Sequence, residues 1–346
     1  MENIRRQFIQ GIEPKACRAC WEEEQSGIDS MRIIRERYYG EQYKDRFDHP
    51  QICSLDLKFS TLCNLKCRIC GPYLSSSWLK EAHDVGNTSN DLLEKFSRNT
   101  ERKFGMIDQN LEIFERLLPS MQVIEFHGGE PFMQPEHRIF LEIIDRSTVS
   151  DELILIYNTN GTHYDPRFTE IWKKISKVIL NFSVDDLHHR FEYQRYPAKW
   201  DEVMANIRKY RENSNDNVKI NFYTTVSLYN IFYLNEFINH NMMISKLPIL
   251  LNMVHFPESM NIRNLPSEIK VNVLDKLNRL SDEALSYLIS TNTIESITNY
   301  MMVDPDDPTA MENFLNTTKT HDRYREQDFS SVFPEYSSMI DRSLSK

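Results

Sequence analysis

The sequence predicts an α/β protein built on six consecutive strand–helix units, with a helical, cysteine-containing segment ahead of them and a helical extension behind. Three observations carry this prediction. Six short β-rich runs recur between residues 54 and 255, helical patterns lie between them, and polar residues and glycines without local structural duty collect just after the strands. Alternating strands and helices imply parallel βαβ units. Such units fit either an open doubly wound sheet or a barrel, whole or partial, and in each the site lies beyond the C-terminal ends of the strands. The expected boundaries are 1–50 for the leading helical segment, 51–265 for the βα units and 266–346 for the extension.

Residues 1–50 read as helical and highly charged. WEEEQSG ends at Gly27, a natural helix stop, and Asp29 or Ser30 can cap the next helix, MRIIRERYYGEQYKD. The strand runs are SLDLKFS (54–60), QVIEFH (122–127), ELILIYN (152–158), KVILNFSV (177–184), VKINFYTTV (218–226) and ILLNMVH (249–255). Helical patterns occupy 111–118, 136–147, 166–175, 200–213 and 230–240. The interval 71–110 is longer than a normal crossover and is expected to carry an extra helix or two. After 265 the pattern is helical, broken by VDPDDPTA (303–310).

Composition excludes several classes. The 346 residues are 40% hydrophobic and 27% charged, which rules out wholesale disorder, and only nine are glycine, which rules out collagen-like chains. The net charge of −10 argues against nucleic acid as a partner. No apolar run reaches the roughly 18 residues a membrane helix needs, and the first residues have no apolar signal core. A cytoplasmic location with no membrane partner is expected.

The cysteines say more. Cys17 and Cys20 form C-x2-C, Cys53 stands alone, and Cys63, Cys67 and Cys70 form C-x3-C-x2-C. Tight spacing in a reducing compartment points to metal or redox chemistry. Three thiolates on one short loop can ligate three irons of a cubane cluster. No cysteine follows Cys70, so a fourth iron would be open to an exogenous ligand. A zinc site, with His127 as a conceivable fourth ligand, fits the same thiols. The second strand runs into HGGEP, where Gly128 and Gly129 let backbone approach a ligand closely and Glu130 offers a carboxylate to a cation. A plain Gly-Gly turn is the simpler reading of that segment alone.

Together, TLCNLKCRICGP and HGGEP resemble the radical S-adenosylmethionine (SAM) enzymes. The resemblance implies a partial (βα)6, TIM-like barrel with a 4Fe–4S cluster on Cys63, Cys67 and Cys70. It implies SAM bound at the open iron, its methionyl group met by Gly128, Gly129 and Glu130. NTNG and SVDD resemble the family's third and fourth strand exits, which implies Asn158 on the SAM or substrate side of the pocket and Ser183 against SAM. RYPAKWDEV resembles the family segment whose arginine pairs with the SAM carboxylate, here Arg195 with Arg190 as competitor. Ile69 takes the large apolar position expected near the adenine. His188, His189 and His255 are read as ordinary polar residues. The implied activity is reductive cleavage of SAM to a 5′-deoxyadenosyl radical that takes hydrogen from a small-molecule or peptide substrate. Electrons would come from a donor such as flavodoxin or ferredoxin.

CRACWEEEQSGIDSMR resembles a segment of family members with a shortened auxiliary-cluster module, termed twitch, a cut-down SPASM domain; the expectation is that the N-terminal part of that module is missing or that the natural chain starts before Met1. Cys17, Cys20 and Cys53 are then a possible auxiliary ligand set for a second iron–sulfur cluster. A zinc site, a ligand supplied by a partner, or structural thiols fit the same residues. The competing function is a non-catalytic electron-transfer or zinc-binding module, in which HGGEP has no role.

Overall fold

The computed structural model describes residues 2–25, 30, 32–33, 36–37, 52–86, 111–149, 151–289, 294–305 and 307–344. Most of the helix expected at 31–45, and residues 87–110 of the long crossover, lie outside the described residues. The chain divides into two units, Met1–Gln51 with Thr291–Ile297, and Ile52–Ser290 with Thr298–Lys346.

In the first unit, α1 (Glu2–Ile9) is followed by a 3-10 turn (Lys15–Cys17) and α2 (Arg18–Gln25). Arg32 stacks over the Trp21 ring at 4.4 Å and donates from Nε to Glu24 at 3.0 Å.

The second unit carries a six-stranded parallel sheet: β1 (Ser54–Leu57), β2 (Val123–Phe126), β3 (Ile154–Thr159), β4 (Lys177–Ser183), β5 (Val218–Val226) and β6 (Ile249–Met253). The strands lie in sequence order, β1 to β6, every neighbouring pair parallel. A doubly wound sheet reverses order at a switch point, and this one does not, so the barrel architecture is the one adopted. β1 and β6 are not paired, and the barrel is therefore partial.

Period-two alternation divides each strand between two surroundings. Ile124, Phe126, Leu155, Tyr157, Val178, Leu180, Phe182 and Phe222 are fully buried towards the helices. Those helices are amphipathic. In α5 (Pro135–Arg146) the buried face is His137, Phe140, Leu141 and Ile144, an i, i+3, i+4, i+7 stripe. In α8 (Trp200–Asn213) it is Trp200, Val203, Ile207 and Tyr210. Between these come α6 (Pro166–Trp172) and α7 (His188–Gln194), with α3 (Trp78–Asp84) and α4 (Leu111–Leu117) earlier and α9 (Leu234–Met243) later. Asp165 caps α6, accepting from the Arg167 N–H at 3.0 Å, with Pro166 at the first helical position.

The alternate residues face the barrel interior, where Ile156 and Ile179 share the lining with a row of polar side chains. Asn221 donates to Asn181 at 3.1 Å, Asn181 to Asn158 at 3.1 Å, and Asn158 to Glu125 at 3.0 Å, a ladder across four strands. After β6 the chain is helical: α10 (Ser267–Leu277), α11 (Asp282–Leu285), α12 (Ile294–Met302), α13 (Ala310–Arg325), α14 (Phe329–Val332) and α15 (Pro334–Leu344). No described helix is long and apolar enough to cross a membrane.

Candidate active site

The loop that leaves β1 has no regular structure, so its backbone groups need partners elsewhere. Lys66 N–H donates to the Tyr196 carbonyl at 2.7 Å and Arg68 N–H to that of Gln194 at 2.8 Å, tying the loop to the end of α7. From the other side, Ser77 Oγ donates to the Cys63 carbonyl at 2.6 Å, Ser75 Oγ to that of Leu65 at 2.6 Å, and Trp78 Nε1 to that of Cys67 at 3.1 Å. Cys63, Cys67 and Cys70 are thus held on a loop anchored at several points. Burial pushes the Cys63 thiol up to about 11, with the nearby Cys67 adding to it. A hydrogen bond between the Cys67 and Cys70 thiols raises the first and lowers the second, and Arg195 pulls both down.

The exit of β2 closes on this loop. Gly128 and Gly129 have φ of +77° and +58°, conformations side chains rarely adopt. A Cβ at Gly129 would stand 2.3 Å from the Leu62 carbonyl oxygen, and one at Gly128 2.3 Å from Lys58 Cγ. The paired glycines are what lets the two strand exits touch, and Glu130 N–H then donates to the Leu62 carbonyl at 2.7 Å. The Gly128 carbonyl accepts from Gln134 Nε2 at 2.7 Å.

Glu130 is turned inwards and fully buried. Its carboxylate accepts from Thr159 Oγ1 at 2.7 Å, from the Asn160 N–H at 2.7 Å and from the Phe132 N–H at 3.2 Å. Burial pushes its pKa up to about 7, against those bonds and the charge of Arg195, which lower it. Both oxygens therefore bracket β2 to β3.

At the β3 exit, Asn158 lies in the interior ladder, and it is Asn160 that reaches the thiol loop. Asn160 Nδ2 stands 3.8 Å from Cys63 Sγ and donates to Asn64 Oδ1 at 3.0 Å. Ser183 ends β4 half-buried, on the same face as Asn181 and paired in register with Tyr223.

The two arginines separate cleanly. Arg190 donates to Asp186 at 2.9 Å and to Glu236 at 2.9 Å and stacks over Tyr233, an outward contact between helices. Arg195 is buried, donates from Nε to Asp185 at 2.7 Å, and brings Nη1 to 3.9 Å from Cys67 Sγ. Burial opposes its charge, but Asp185, Cys67 and Cys70 outweigh that and raise its pKa. Asp185 is fixed in turn by the Thr225 N–H at 2.9 Å. In the strand-exit segments NTNG and SVDD the sequence points first to Asn158 and Ser183, whereas the residues beside the thiols are Asn160 and, through Arg195, Asp185.

Cys17 and Cys20 belong to the first unit, in the 3-10 turn and in α2, and Cys53 to the second, where its carbonyl accepts from the N–H groups of Gln122 and Val123. Among the described residues no group of His, Cys, Asp and Glu side chains is preset around one metal-ion position. A cubane does not require that convergence, because its cysteines bind separate irons. The donor set fits such a cluster: three thiols on an anchored loop, two of their sulfurs in reach of an amide and a guanidinium.

Residues 57–236 match the Radical SAM superfamily, just over half of the sequence, and the chain belongs to that family. That family is one of SAM-dependent radical chemistry, and it implies a 4Fe–4S cluster and SAM. Among solved structures it is similar to native anSMEcpe with bound AdoMet, at 17% identity and a TM-score of 0.43, covering 66% of this chain and 63% of that one. It is also similar to Streptococcus suis SuiB bound to S-adenosylmethionine, at 13% identity and a TM-score of 0.44, covering 75% and 55%. A third is TYW1 with a lysine-pyruvate adduct bound, at 15% identity and a TM-score of 0.33, covering 66% and 71%. The chain spans about three-fifths of the length of the first of these structures. No curated protein matches it.

Proposed function

We propose that Cys63, Cys67 and Cys70 hold the cluster, that SAM completes its coordination, and that the barrel interior receives a polar substrate. One observation carries the reading. The thiol loop, the paired glycines, Asn160 and the Arg195–Asp185 pair all meet at one edge of the sheet, and no fourth cysteine lies in that loop. When bound, the cluster supplies the electron that cleaves SAM to a 5′-deoxyadenosyl radical able to abstract hydrogen.

The chain's own residues do the positioning. Arg195, its charge fixed by Asp185, is the fork that takes the SAM carboxylate. Gly128 and Gly129 give backbone access beside the loop, and Glu130 acts mainly from within by fixing the β3 exit that carries Asn160. Ser183 and Asn158 line the interior below. The substrate follows from that lining. A floor of carboxamides and a carboxylate suits a ligand rich in hydrogen-bonding groups, so a peptide or protein side chain or a polar small metabolite is favoured over an apolar one. A flavodoxin- or ferredoxin-type donor delivers the electron. The Cys17–Cys20 segment is part of a twitch-type module, with Cys53 its nearest further thiol in sequence.

The test is anaerobic reconstitution followed by reduction with SAM. Wild-type protein should bind close to four irons or more and release 5′-deoxyadenosine, and Cys67→Ala should do neither while keeping its helical circular dichroism. Continued SAM cleavage by Cys67→Ala, or stoichiometric zinc with no SAM binding by wild type, would defeat the proposal.

A further inference from the structure

Lys66 and Arg68 flank Cys67, and both side chains run inwards to acids on other elements. Arg68 is 1% exposed. Its Nε donates to the Tyr193 carbonyl at 3.2 Å, its Nη2 to Gln327 Oε1 at 3.0 Å and to Asp322, and its guanidinium stacks on the Tyr193 ring at 3.6 Å. Asp322, near the end of α13, also accepts from Tyr193 Oη at 2.8 Å and from the Phe329 N–H at 2.8 Å. Lys66 pairs with buried Glu81 of α3 at 2.9 Å, and Glu81 in turn meets His321 Nδ1 and Arg325 Nε of α13, each at 2.8 Å.

The loop is thus gripped on both sides of Cys67 by ion pairs that converge on one turn of α13, more than 250 residues away in sequence. Buried charges are costly unless fully paired, and such an arrangement is sensitive to the loss of one member. Neither the strand-edge geometry nor SAM binding calls for it.

We propose that α13 is part of the cluster site, with Asp322 acting through Arg68 as a positioning residue that fixes Cys67 and sets the charge balance around the cluster. The inference rests on the reading that the three cysteines hold a cluster; failure of wild type to assemble one would count against that reading, not against this one. With a cluster present, Asp322 contributes a fixed negative charge on the guanidinium of Arg68, the residue after a ligand in sequence. Removing it leaves the Arg68 charge unbalanced, which favours the reduced cluster.

Asp322→Asn, Asp322→Glu and Phe314→Leu are compared as reconstituted full-length proteins. Phe314 is fully buried in the same helix against Tyr229 and Phe329 and carries no charge, so its truncation loosens α13 without altering the ion pairs. Asp322→Asn should move the reduction potential of the cluster to a more positive value and release iron to a chelator about tenfold faster. Asp322→Glu should recover most of both, and Phe314→Leu should lower the melting temperature with the potential unchanged. The proposal is overturned if Asp322→Asn leaves potential and iron release as in wild type, or moves them no further than Phe314→Leu. Should Asp322→Asn fail to fold, Gln327→Ala removes only the second side-chain acceptor of Arg68; faster iron release at an unchanged melting temperature supports the proposal, and wild-type release overturns it.

Discussion

At the scale of single residues, the two arginines after β4 are sorted by the acids that take them. Asp185 takes Arg195 and Asp186 takes Arg190, which separates an inward cation beside Cys67 from an outward one between helices. Sequence alone left those two arginines as rivals, because neighbouring aspartates offer no sign of which way each points. Glu130 has the opposite character, a buried carboxyl bonded only to neutral donors. Its folded pKa is about 7, above an ordinary value of 4.5. A carboxyl raised on folding contributes stability that is fully present below about pH 4.5 and is lost as pH rises through about 7. Glu130→Gln removes that titration. The melting temperature of the metal-free variant, relative to metal-free wild type, should therefore rise between pH 5 and pH 8, a swing worth at most about 3 kcal/mol. A difference that stays flat over that range would show that Glu130 is ionised in the fold. The comparison between variants matters because buried His137, lowered to about 3 by burial, gives wild type an opposite slope on the acid side.

At the scale of elements, strand periodicity was the most readable signal. VKINFYTTV became β5 residue for residue, and the other five strands fell inside or within a residue of their runs. α7 carries little helical signal, since HHRFEYQ has only two apolar anchors, Phe191 and Tyr193, which pack against Trp200 and Phe333. Asn158 and Asn160 were indistinguishable in NTNG. β3 ends at Thr159, so the first stays in the interior ladder and the second turns onto the thiol loop. The partner of Arg68 was beyond reach of any local pattern, because nothing near Cys67 in sequence points to α13. The leading helices pose a separate question. Cys17 and Cys20 lie outside the six βα units that assemble the thiol loop and the glycine pair. Replacing both with Ala should preserve cleavage of SAM in the absence of substrate, measured as 5′-deoxyadenosine. Iron content falling towards a single cluster would assign them to a second group. Loss of SAM cleavage in a folded variant that keeps its first cluster would contradict the division of labour drawn here.

At the scale of the whole molecule, the second unit combines a strand order without reversal and an interior row of polar side chains with one edge where thiols, glycines and a fixed cation meet. The helices after β6 close back onto that edge through Arg68 and Lys66. In the proposed reading, the cluster with one uncommitted iron sits at the edge that the ladder of carboxamides leads up to. The most direct measurement is low-temperature electron paramagnetic resonance of the reduced, reconstituted protein with and without SAM. An iron left open by only three cysteines predicts a reduced-cluster signal whose g values shift when SAM is added. A signal indifferent to SAM, in protein carrying its full iron, would contradict the account.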